Sequence, residues 1–330
     1  MNTDNSRALR EGAMMVALTA VFILLYRFVP FFSLIGLFIC GVPMAAFSVR
    51  NGLTALIPAL IAAFLISALI SGGFLTALSI MLISVIPGAV AGYMMGKKSP
   101  FFTVLFSTCL CVCIGWLFEL TLLEIFAGNG IDEMFSEIMK QVESTFSQLT
   151  AQLDEGTLQK AGIKPEEFSA AFIETFEYTI RLYFPSVIVI TAMLSGYIII
   201  RMSAFIIKRC KLKNVDIPPF SMLKAPRSLG TVTVILYLVM LFTGRQSVSW
   251  PVISNAVMVL YTILAFCGLS FVDYNFKKKV KSAVLRALIY ACIFFAGSML
   301  ISIIVDVLII ISLFDSTRDF RKIDYHGDNA

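Results

Sequence analysis

Residues 101–126 read FFTVLFSTCLCVCIGWLFELTLLEIF. The only formally charged side chains in this run are Glu119 and Glu124, both in its last third. As an α-helix it would extend about 39 Å, at roughly 1.5 Å per residue. That exceeds the ~30 Å hydrocarbon core of a bilayer. A segment in hydrocarbon has no water for its peptide groups, so it must satisfy them as a helix or within a closed barrel. Barrel strands alternate apolar and polar residues over about ten positions. This run is continuously apolar, so it is a membrane helix.

The same reading extends in both directions. Further apolar runs lie at residues 12–29, 31–49, 52–71, 74–96, 182–207, 229–243, 250–274 and 284–314. Over all 330 residues, 58% are hydrophobic and only 14% charged, and mean hydropathy is +0.89. Soluble chains average roughly 45–50% apolar and about 25% charged. The fold expected is all-α, a polytopic transmembrane helix bundle of about 8–10 spanning segments.

Lys and Arg set the orientation, because they collect in cytoplasmic connections. With the amino terminus inside, the inner segments hold Arg7 and Arg10, then Arg50, then Lys97 and Lys98. They continue with Lys208, Arg209, Lys211, Lys213, Lys224 and Arg227, and end with Lys277, Lys278, Lys279, Lys281 and Arg286. That is 16 of the 26 basic residues, so a cytoplasmic amino terminus in a bacterial inner membrane is expected. The net charge of +5 is then a topology signal and not a nucleic-acid footprint. The first run lacks a small-residue cleavage site, so it is expected to stay as a span. The run at 284–314 is too long for one upright span. Gly297 and Ser298 near its middle suggest a broken hairpin returning Arg318, Arg321 and Lys322 to the cytoplasm, with one tilted span as the alternative.

The hydrophilic insertion at 127–181 falls outside in this topology. It carries ten acidic and four basic residues. Ile131, Phe135, Ile138, Val142, Phe146, Leu149 and Leu153 recur at three- and four-residue steps, the pattern of an amphipathic helix. A second helix is expected after Lys164, with Pro165 in its first turn and Phe168, Phe172, Phe176 and Ile180 on one face. This insertion is read as a cap on the bundle mouth, a gate, or a docking surface.

Several chemistries are excluded. His326 is the sole histidine, so neither a Ser–His pair at membrane depth nor an H-E-x-x-H zinc site can form. GYMMGKKS at 92–99 fails as a phosphate loop, because Lys98 stands where Ser or Thr is required. Cys109, Cys111 and Cys113 do not share one helix face, and no histidine completes a metal site. No seven-cysteine disulfide framework is expected, because none of the cysteines lies in the long hydrophilic insertion. The reading assigns no enzyme activity, no metal and no cofactor.

The remaining candidates are few. Ionisable groups inside spans are functional candidates by default. Arg27, Glu119 and Glu124 are expected near the same outer surface, with Trp116 lining that region. They would form an Arg–Glu pair closing the bundle, a polar pocket for a small solute, or simply reach the headgroups. Arg201 and Asp273 end spans near the inner surface and are read as snorkelling, and Asp306 lies deeper. Small residues at four-residue spacing mark close helix packing. They are Ala55, Ala59 and Ala63 in the third run, Gly88, Gly92 and Gly96 in the fourth, and Ala13 and Ala17 in the first, where a partner helix could pack.

Three stretches resemble the YybS-like family of bacterial multi-span membrane proteins. They are IPPFSMLKAPRSL at 217–229, GLSFVDYNFKKK at 268–279 and LFDSTRDFRK at 313–322. The tryptophan that the family pattern places before the proline in the first stretch is absent; Leu223 or Lys224 stands near it. The amino-terminal part of that family looks like the S-components of energy-coupling-factor transporters, which are six-helix bundles that capture vitamins or metal ions outside. The resemblance implies a six-helix part over 1–208 and added helices over 209–330. It also implies a coupling membrane protein and ATPase subunits as partners, with the Ala13–Ala17 face as the contact. The insertion and the last spans depart from the six-helix plan. Capture of a small solute, with energy supplied by partners, is the function this implies. A membrane scaffold that docks envelope or signalling proteins is the alternative, and the lipid bilayer surrounds the chain in either case.

Overall fold

The computed structural model describes residues 3–128, 130–152, 165–296, 301–318 and 320–321. Among these the regular elements are helices, and no strand occurs. Six of the described helical segments are long and apolar enough to cross a membrane. The chain divides into two compact units, Met1–Ile217 and Pro218–Ala330. The first extends nine residues past the limit of 208 expected from sequence; in that stretch Lys213 Nζ donates to the Gly96 carbonyl, and Val215 packs in a cluster with Ile200 and Ile207.

The first unit begins with α1 (Thr3–Phe28), α2 (Pro30–Ile39) and α3 (Val42–Ser71). Pro30 opens α2 at a position where its missing N–H is not needed. α3 is interrupted at Gly52, whose φ of 69° and ψ of −175° are not helical. That region is open essentially to glycine alone. Next come α4 (Phe74–Ile80), a π-helical turn (Met81–Val85) and α5 (Ile86–Gly96). The chain reverses direction at Gly52. Gly41 lies beside Gly88, and Val49 beside Gly96, so residues 41–49 run the same way as 88–96. Ser71 reaches Phe74 through only two residues and therefore sits at the opposite end of the 74–96 span. The turn is tied to α1 through Glu11, which accepts from Arg7 Nε at 3.1 Å and Asn51 Nδ2 at 3.3 Å. Arg50 Nη1 lies 3.5 Å from the same carboxylate.

Glycine brings the two parallel segments into backbone contact. A Cβ on Gly88 would collide with the Gly41 carbonyl oxygen, and one on Gly92 with that of Ala45; at Gly96 it would lie 2.9 Å from the Val49 oxygen. Ser48 Oγ donates to the Ala89 carbonyl at 2.8 Å across the same contact. In lipid, approach this close gives dispersion contacts in place of a hydrophobic force between helices. Ala59 and Ala63 are buried with Val16, Ile23, Met44 and Phe47, and Ala55 packs at their edge.

α6 (Phe101–Ala127), α7 (Gly130–Gln152) and α8 (Pro165–Arg209) complete the first unit. Gly196 of α8 packs on Cys109, and Gly115 of α6 on the Leu82 carbonyl; Cys109 acts as a small packing residue. α8 is one helix of 45 residues, roughly 68 Å long. The second insertion helix and the sixth apolar run are therefore one continuous helix and not two elements, with Pro185 accommodated inside it. α7 folds back on it. Phe146 stacks on Phe172 at 4.4 Å, and Phe135 meets Phe184 edge-on at 5.0 Å. Arg181 bonds to Asp132 at 2.8 Å and Glu177 at 2.9 Å while lying 4.7 Å above the Phe135 ring. Leu153 and the side chains of Leu149 and Phe168 lie outside the described residues.

The second unit contains α9 (Arg227–Phe242), α10 (Trp250–Lys279), α11 (Ala283–Ala296) and α12 (Ile301–Arg318). Tyr237 and Tyr261 meet at 5.7 Å, and Gly268 packs on the Leu308 backbone. Arg286 near the start of α11 pairs with Asp273, and Arg321 after α12 reaches Ser270. The start of α11 and the end of α12 thus lie at the same end of α10. Gly297 and Ser298, the expected break, lie outside the described residues, as do Lys322 and His326.

Gly92→Ala is expected to lower unfolding stability in detergent by about 2 kcal/mol or more, the range of overpacked cores. Gly73→Ala is the control. Its Cβ would find only Thr76 Oγ1 at 3.8 Å, so a change within about 0.5 kcal/mol is expected.

Candidate functional site

The first unit sets Trp116 and Glu119 three residues apart on one face of α6. Trp116 packs against the buried cluster of Ile83, Val112, Ala192 and Ile199. Its indole Nε1–H is buried without a hydrogen-bond acceptor, which is uncommon for a buried indole. Glu119 is half-buried. Tyr26 on α1 lies within electrostatic reach of both Glu119 and Arg27. Arg27 itself is exposed at the end of α1. Glu124 is also exposed, and its Oε2 accepts the backbone N–H of Ile131 at 3.1 Å. A carboxylate there satisfies a free donor of the first turn of α7 and complements its helix dipole. The structure therefore places Trp116 and Glu119 on one face of α6, leaves Arg27 at the rim, and gives Glu124 a capping contact.

Ala13 and Ala17 are exposed on α1. Ala13 lines a cavity of about 560 Å³ together with Gly12, Phe47, Ala55, Pro58 and Ala59. This face is not filled by the first unit itself.

The second unit holds a buried polar knot that the sequence reading missed. Arg321 was expected as a cytoplasmic topology residue, and Asp273 as a snorkelling one; both are buried, at 5% and 6% exposure. The physical reason is pairing. Arg321 Nε and Nη2 bond to Asp315 Oδ2 at 3.0 and 2.7 Å. Its Nη1 donates to the Ser221 carbonyl and to Ser270 Oγ at 2.8 and 2.9 Å, and Nη2 donates to the Leu223 carbonyl at 2.8 Å. All five guanidinium donors are used. Three residues after Ser270, Asp273 Oδ1 accepts from Arg286 Nε at 2.7 Å and from Tyr290 at 3.1 Å. Arg286 Nη1 also donates to the Val280 and Lys281 carbonyls.

The stretches 217–229, 268–279 and 313–322 thus meet through Ser221, Leu223, Ser270, Asp315 and Arg321. That convergence was available as a signal: each short motif carries one piece of a single buried network. With its donors saturated, the guanidinium has none left for a ligand. The knot is a clamp that ties the turn at Phe220–Met222 to α10 and to the end of α12. The described residues contain no cluster of three or more His, Cys, Asp or Glu side chains that would hold a metal.

Arg321→Met should destabilise the protein by about 3–5 kcal/mol, because it strands the Asp315 carboxylate in a dry site. Asp315→Leu in the same chain should restore most of that loss. Thermal unfolding of the single and double variants in detergent measures both effects.

Comparison with known proteins agrees with this architecture. The chain is 23% identical over 280 residues to "Uncharacterized protein YybS" of Bacillus subtilis (strain 168), covering 83% of this chain and 86% of that protein. No solved structure matches it. Residues 17–316 match the model of the family described as "Predicted membrane protein (DUF2232)". The chain belongs to this family of membrane proteins.

Proposed function

We propose that the first unit captures a small solute from the side opposite its basic connections, with energy supplied by partner proteins and no catalysis of its own. One observation carries this reading: the unused, buried indole N–H of Trp116, one helical turn from the half-buried carboxylate of Glu119. A buried donor without an acceptor is unfavourable by about 1–3 kcal/mol, and a bound solute bearing an acceptor would remove that penalty. Glu119 supplies a complementary acceptor or charge, Tyr26 a second polar edge, and Arg27 a cation at the rim. Rings and a few convergent polar groups are the usual makeup of a small-molecule site.

The basic ends support an orientation with the amino terminus in the cytoplasm, and hence a site open to the outside of a bacterial cytoplasmic membrane. The S-component resemblance read from the sequence points to a coupling membrane protein and ATPase subunits as the partners. The exposed Ala13 and Ala17 provide a surface on which a partner's helix could approach closely.

Native mass spectrometry of the full chain in mild detergent is expected to show a retained small molecule. Trp116→Phe and Glu119→Gln should each weaken retention about tenfold or more, the equivalent of one charge-assisted or buried hydrogen bond. In Trp116→Phe no protein hydrogen bond is lost, so thermal unfolding reads only the smaller ring and the relief of the unpaired donor, two effects of opposite sign. Repeated absence of any bound solute, with no uptake defect on deletion, would overturn the reading.

A further inference from the structure

The first unit contains a second cavity, of about 500 Å³, whose chemistry differs from that of the Trp116–Glu119 region. Met15, Leu18 and Phe22 of α1 form one wall, and Met202 and Ile206 of α8 the other; Val42, Pro43 and Ala46 of α3 lie between them, and Cys210 and Leu212 close one end. No charged side chain lines it. Leu18 and Ile206 are exposed at 41% and 37%, so the groove opens sideways towards the surrounding hydrocarbon. It follows residues 15–22 on α1 and 202–209 on α8, about 10 Å of helix length, with the turn at 210–212 beyond. One leaflet of hydrocarbon is half of a ~30 Å core, so the groove spans most of a single leaflet's depth.

The end at Cys210 and Leu212 is basic. Lys208, Arg209 and Lys211 are all exposed there. Lys211 has a φ of 53°, the left-handed conformation that usually falls to glycine after a helix. Its backbone N–H bonds to the Lys208 carbonyl, and the Leu212 N–H bonds to that of Ile207. This closes the end of α8 and turns Leu212 back onto the groove. Lys211 thus stands in the chain between two residues that line the slot, Cys210 and Leu212, and Arg209 directly precedes Cys210.

We propose that this groove is a binding site for an anionic phospholipid, with one acyl chain between α1 and α8 and the phosphate between Arg209 and Lys211. An apolar slot spanning most of one leaflet's depth takes the chain, and the two flanking cations select the headgroup by charge. Basic pockets between membrane helices at the positive surface recognise anionic headgroups in this way, with about 1 kcal/mol from each cation. The proposal is independent of the solute site, because it uses different helices' faces and a different end of the unit.

The test reconstitutes the full chain in vesicles of phosphatidylcholine with a minor fraction of phosphatidylglycerol, followed by detergent extraction and native mass spectrometry. Retained phosphatidylglycerol is expected, enriched over its fraction in the vesicle. Arg209→Gln with Lys211→Gln should weaken it about thirtyfold, two cations at about a factor of five each. Leu18→Trp, a lipid-exposed position that fills the groove without touching the charges, should abolish it while thermal unfolding stays unchanged. Retention that is equal for both lipids, or unaltered in Leu18→Trp, overturns the proposal. So does a photo-crosslinker at position 206 that captures another protein's helix in cells and no lipid.

Discussion

The backbone contact between residues 41–49 and 88–96 is the constraint on which the first unit rests. In hydrocarbon, apolar side chains gain nothing from leaving the solvent, so helices must be held by contacts that lipid cannot supply. Gly41 against Gly88 and Gly92 against Ala45 supply them by letting main chains touch. With those segments fixed in parallel, the chain that leaves the end at Val49 has to reach the opposite end before the second segment begins. Gly52 makes the reversal at one end, and Gly72 with Gly73 makes it at the other. α1 then lies along both halves of α3, with Gly12 facing Phe47 and Ala59 together.

The second unit answers the same constraint with charge instead of glycine. Burying an ion is unfavourable by several kcal/mol unless partners satisfy it. Arg321 meets that condition with a carboxylate, a hydroxyl and two carbonyls, and Arg286 with a carboxylate and two carbonyls. Such an arrangement is intolerant of single changes and so fixes one packing of the turn at Phe220–Met222 against α10 and the chain after α12.

Much of this was legible in the sequence because lipid leaves few choices. Runs of twenty apolar residues can only be helices, and Arg50, Asn51 and Gly52 stand where one run stops and the next begins. The four-residue spacing of Gly88, Gly92 and Gly96 announced a close contact, although not its partner, since Gly41, Ala45 and Val49 do not stand out from their neighbours. What sequence did not give follows from the same logic. Charge counting treats every Arg near a span end as solvated, so Arg321 and Asp273 read as surface groups. Their burial depends on carbonyls of the turn at 220–223, distant in sequence and silent in composition. Likewise Glu119 and Glu124 both read as partners for Arg27, whereas Glu124 Oε2 accepts from Ile131 N–H, a contact set by where α7 starts. The insertion and the sixth run looked like two elements only because polarity changes at Arg181. The helix runs through that change without a break.

The reversal at Gly52 is the step that turns these contacts into a membrane architecture. It is tested most directly by single cysteines placed at Asn51, Gly72 and Ser99 in a chain freed of its native cysteines. The probe is a membrane-impermeant thiol reagent applied from each side of sealed vesicles. The account predicts that positions 51 and 99 label from one side and position 72 from the other. Protection of position 51 from both sides would mean that α3 crosses as one straight helix, and labelling of 51 and 72 from the same side would contradict the fold outright.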